Sequence, residues 1–66
     1  MDEETILCFF EYDHLPPHLA RTSEPFCKLA KVLTLELEPG PQRTHALQKL
    51  LEAKDCAVRA TLSPGN

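Results

Sequence analysis

Sixty-six residues, 42% of them hydrophobic, with a net charge of −3, allow one domain at most. A chain of this size buries only about 60% of the surface that its unfolded form exposes, so its core is marginal alone and self-association is the expected source of further stability. The acidic balance argues against a duplex nucleic-acid binder, and no apolar run approaches the roughly 20 residues that span a bilayer. Cys8, Cys27 and Cys56 are odd in number and widely spaced, and Met1 to Thr5 are acidic where a secretory signal would be basic. These features point to a reducing, cytoplasmic setting with thiols that pack as small hydrophobes.

Residues 1–15 read as an N-terminal arm. From Thr5 to Leu15, Ile6, Cys8, Phe10 and Tyr12 alternate with Leu7, Phe9 and Glu11, which predicts an extended segment carrying three of the four aromatic residues. In such an arm Phe10 and Tyr12 point the same way. Residues 16–62 read as a helical hairpin. Helix one starts at Pro16-Pro17, where proline suits a first helical turn. Its stripe of Leu15, Leu19, Thr22, Phe26, Leu29, Ala30, Leu33 and Leu37 keeps phase across Pro25. One helix kinked at Pro25 is therefore expected, although Thr22-Ser23-Glu24-Pro25 could also cap a fresh one. Glu38-Pro39-Gly40-Pro41 breaks the chain, helix two runs from about Pro41 to Leu62, and residues 63–66 form a tail. The fold class is thus all-α, an antiparallel helical hairpin with an extended arm, assembled as a homo-oligomer.

Lys54 stands out on helix two. Ala46, Leu47, Leu50, Leu51, Ala57 and Val58 share one face, and Lys54 projects near its centre with Arg43 three turns earlier. A charge in an apolar seam demands compensation. A carboxylate of a partner chain, a bound anion, or snorkelling of the ammonium to the rim would each supply it.

Catalysis finds little support: no nucleophile sits beside a base in a recognisable turn, and no glycine-rich phosphate loop is present. No cofactor is expected. Asp2 to Glu4, Glu36 and Glu38 read as solvated charge, and His45 as solvent-exposed. His14 and His18 are four apart but separated by Pro16-Pro17, and nothing completes a metal-ligand set. The aromatic arm is more informative, because a ring beside a cation can hold a nucleobase and its phosphate. Arg43 and Thr44 add a guanidinium fork and a hydroxyl at a helix N-terminus, which carries partial positive charge.

Phe10-x-Tyr12, the long amphipathic helix, the proline-rich turn and the segment Arg43-Thr44-His45-Ala46-Leu47-Gln48-Lys49-Leu50-Leu51-Glu52-Ala53 resemble the hairpin domain shared by phage anti-CBASS and anti-Thoeris proteins. Val58-Arg59-Ala60-Thr61-Leu62-Ser63-Pro64 is similar to the end of the second helix in the anti-CBASS members. The resemblance covers roughly residues 9 to 64. It implies a sponge that captures cyclic nucleotide signals of bacterial immunity in the host cytoplasm, without turnover. The ligand would be a cyclic di- or trinucleotide or a cyclic ADP-ribose-type molecule. By position, Tyr12 helped by Phe10 would stack on a base, and Arg43, Thr44 and Lys54 would meet phosphate or ribose. Lys28 would stand for a phosphate-pairing lysine of helix one, with Leu47 in the same ligand site. The alternative is a small helical-hairpin module or inhibitor whose exposed leucine stripe docks on a host protein.

Overall fold

The computed structural model describes residues 2–63, which form three helices: α1 (Glu3–Cys8), α2 (Pro17–Glu36) and α3 (Pro41–Leu62). Pro17 and Pro41 each occupy a first helical turn, where a missing N–H leaves no bond unmade. α2 continues through Pro25, so the unbroken apolar phase prevails over the cap-like tetrapeptide before it. The bounds expected for helix two are those of α3. Of the expected tail, only Ser63 lies within the described residues.

The expectation of an extended arm is corrected. Asp2 caps a helix there: its Oδ1 accepts the Thr5 N–H at 2.8 Å, and Glu3 and Glu4 occupy the first turn. Acidic side chains at that end complement the helix dipole. Ile6 and Phe10 are four residues apart and both fully buried, while Phe9 is half exposed. Helical spacing, not two-residue alternation, therefore decides which apolar residues of the segment enter the core. The run Ile6 to Phe10 contains both patterns, and only a packing partner chooses between them.

α2 and α3 are antiparallel. The Thr22 and Thr61 hydroxyls lie 2.9 Å apart at one end, and Arg43 bonds to the carbonyls of Thr34 and Leu37 at the other. α1 lies against α3 and runs in the same direction, with Glu3 beside Arg43 and Phe9 beside Lys54. The core gathers Ile6 and Phe10 from the first segment, Cys27 and Ala30 from α2, and Leu47 and Leu51 from α3. Each large side chain so buried contributes roughly 1.5–3 kcal/mol. Ser23, also fully buried, has an Oγ with no hydrogen-bond partner among the described residues. Cys27 is buried, Cys8 and Cys56 are exposed, and all three are free thiols.

Candidate functional site

Arg43 sits where the ends of all three helices meet. Its Nη1 donates to the Leu37 carbonyl at 2.8 Å and the Thr34 carbonyl at 3.0 Å, at the C-terminus of α2. Its Nε and Nη2 donate to the two carboxylate oxygens of Glu3, at the start of α1. Thr44 Oγ1 donates to Glu3 as well, at 3.0 Å. The Arg43 side chain is only 12% exposed, and four of the five N–H groups of its guanidinium are engaged. Hydrogen bonding from Arg43 holds the Glu3 carboxyl below its ordinary value, with further help from Thr44 and from the arginine charge. The two site residues expected at the start of helix two thus converge on one oxyanion, and that oxyanion is the chain's own. In sequence Glu3 reads as solvated charge, and the structure corrects that expectation. An acidic first turn behind an aspartate cap was the signal for a docked helix.

Lys54 finds a hydrogen-bond acceptor within its own chain. Its side chain is 12% exposed, and its Nζ donates to the Phe9 carbonyl at 2.7 Å, with Asp55 Oδ1 at 3.9 Å. Phe9 is the C-cap of α1, a helix with no basic residue in its own last turn. The ammonium meets the partial negative charge that unpaired carbonyls place at a helix C-terminus. Arg43 performs the same service for α2, whose last turn also lacks a basic residue. One helix therefore supplies the capping cation for both of its neighbours.

Tyr12 lines an open groove of about 750 Å³. Leu7, Phe10, Cys27 and Ala30 make its apolar part, and Lys31, Thr34 and Leu35 form the α2 wall. Glu11, Asp13 and His14 complete the rim. The half-buried Tyr12 hydroxyl donates to Glu24 Oε2 at 3.3 Å. Burial, followed by the Glu24 and Asp13 carboxylates, pushes the phenol above its ordinary value. Thr34 connects the groove to the first cluster, because its residue lines the groove while its carbonyl accepts from Arg43.

The other expected ligand residues are placed differently. Leu47 is fully buried and Phe10 is 1% exposed, so both are core residues, although Phe10 also contributes to the groove's apolar lining. Lys28 is exposed on α2, 3.8 Å from Glu24, and does not line the groove. Lys31, for which the sequence carries no site signal, is the groove's lysine. The structure thus brings together Arg43 with Thr44, and Tyr12 with Lys31, while Lys28 and Lys54 belong to neither set. His14, His18 and His45 are exposed. No group of three His, Cys, Asp or Glu side chains suited to a metal occurs among the described residues, and no helix there is long and apolar enough to cross a membrane. Compared with protein-family models, curated proteins and solved structures, the chain matches none.

Proposed function

We propose that the chain is a phage-type immune-evasion sponge that sequesters a cyclic di- or trinucleotide, or a cyclic ADP-ribose-type ligand, in the host cytoplasm as a homo-oligomer and without turnover. The observation that carries this reading is the closure of Arg43 and Thr44 on a single oxyanion at the N-terminus of α3. A phosphate presents the same oxygens to the same fork, and would take the place of the Glu3 carboxylate. A base would lie in the adjoining groove against Tyr12, with Lys31 at its edge. The groove's volume of about 750 Å³ is within the roughly 300–1,000 Å³ usual for small-molecule sites.

Isothermal titration against a panel of cyclic di- and trinucleotides and cyclic ADP-ribose isomers, with mass measured by light scattering, tests the reading. Saturable binding at a fixed fraction per subunit is the expected result. Flat titrations from a well-folded protein would overturn it.

One observation favours the second reading, a module that docks on a host protein. Glu11 and Asp13 lie on the groove's rim above an apolar floor. That pairing suits a basic, amphipathic segment of a partner better than a polyanion.

A further inference from the structure

We infer that the outward face of α2 pairs with the same face of a second copy, antiparallel, about a two-fold axis at Val32. On this face Leu29, Val32 and Leu35 are 46%, 50% and 85% exposed, although α2 packs its opposite side on α3. Three-residue steps at about 100° per residue turn the stripe by 60° each time, which centres the face on Val32 with one leucine to either side. Lys28 and Glu36 stand four residues before and after Val32, on the same arc.

This arrangement is self-complementary. A two-fold axis at Val32 sets Val32 against its own counterpart, Leu29 opposite Leu35 of the second copy, and Lys28 opposite its Glu36. Every apolar residue then meets an apolar one, and each charge meets its opposite, twice over by symmetry. A parallel pairing in register would set Lys28 against Lys28 and Glu36 against Glu36. The charges therefore select the antiparallel arrangement and its register, while the apolar residues supply the attraction. Lys28 is free to take this part. Its contact with Glu24 is 3.8 Å long at 71% side-chain exposure, and such surface pairs hold a side chain only weakly. The overlap is short, so the dimer belongs to the concentration-dependent class with an interface below about 1,200 Å².

Leu35 also borders the groove. The second copy would accordingly lie along the α2 wall of that groove, and its Leu29 would extend the apolar lining. The pairing stands independently of nucleotide binding and is tested without a ligand.

The test uses the full chain with exposed Cys8 and Cys56 replaced by serine. Under mild oxidation Val32→Cys gives a disulfide-linked dimer, because only a residue on the axis faces its own copy. Leu29→Cys and Leu35→Cys cross-link when mixed and do so poorly alone. Sedimentation of the otherwise unaltered chain shows a monomer–dimer equilibrium that Val32→Asp shifts to monomer with circular dichroism unchanged. The inference fails if Val32→Cys cross-links no faster than a Leu62→Cys control. It fails equally if Val32→Asp leaves the mass unaltered, or if the unaltered chain stays monomeric at millimolar concentration.

Discussion

Glu3 and Arg43 are forty residues apart in sequence and joined by two hydrogen bonds between the guanidinium fork and both carboxylate oxygens. The pair holds the start of α1 to the start of α3, and it occupies the fork that the proposed function assigns to a phosphate. Docking of α1 and binding of an external oxyanion therefore compete for the same donors. Glu3→Gln removes the competing charge while keeping the side chain's shape. Its expected result is a lower melting temperature together with tighter nucleotide binding, read by thermal denaturation and titration. A purely structural Arg43 predicts the first change without the second.

The same carboxylate sets an acid limit. Glu3 is held low chiefly by Arg43, and Asp2 chiefly by the Thr5 N–H. Each releases a proton more readily in the folded chain than in the unfolded one. Their contribution to stability is complete above the ordinary carboxylate pKa of roughly 4, and is lost as pH falls through the lower folded values. Thermal stability is therefore expected to fall on acidification below about pH 4. An Asp2→Asn, Glu3→Gln double variant starts lower and shows a shallower fall. An equally steep acid limb in that variant would assign the loss to other carboxylates.

Lys54→Met measures the value of a capping cation supplied from a neighbouring helix. The change keeps most of the side chain's apolar volume and leaves the Phe9 carbonyl without its donor. Loss of about 1–2 kcal/mol is expected, a fall of about 4–8 °C per kcal/mol for a chain of this length. A rise in melting temperature, the outcome for a desolvated charge removed from an apolar seam, would show that the cap adds nothing.

Ser23→Ala deletes a fully buried hydroxyl that lacks a partner among the described residues. Removing such a group relieves a desolvation penalty of about 1–3 kcal/mol, offset in part by the small void left behind. The expected net gain is about 1 kcal/mol, measured by chemical denaturation. A loss of stability would mean that the hydroxyl is bonded in solution.

Tyr12 and Phe10 separate stacking from packing. Tyr12→Phe keeps the ring and gives up only the bond to Glu24, so nucleotide affinity should persist, whereas Tyr12→Ala should weaken it by about 1–3 kcal/mol, the worth of one stacked base. Phe10→Ala should instead destabilise the fold by about 3–5 kcal/mol, a large share of what so small a domain possesses. Denaturation midpoints and titrations on the same samples distinguish the two.

Much of the architecture was legible along the chain. Pro17, Pro41 and the Glu38–Pro41 breaker placed α2 and α3, because proline geometry is local and acts wherever the residue stands. Continuity through Pro25 was legible too, since the phase of Leu19, Phe26, Ala30 and Leu33 did not change across it. α1 was hidden because a six-residue helix has almost no stability alone. Its capping signal at Asp2 was present but could not outweigh an apolar run that also fits a strand. Arg43 and Thr44 stood out in sequence by their place at a helix start, and Tyr12 by its aromatic neighbours. Lys31 did not, because nothing in sequence ties it to a groove whose other side is formed by residues 10–14.

By itself the sequence determined the helical class, the hairpin and the anomaly of two cations on the apolar side of α3, since periodicity and turn chemistry are properties of neighbouring residues. Only the tertiary structure decided what those cations do. α1 and α2 each end without a basic residue, and the carbonyls left over at those ends lie against α3, where Lys54 and Arg43 reach them. A helix terminus needs its donors within a few ångströms but not within a few residues, so the partner can come from anywhere the fold brings close.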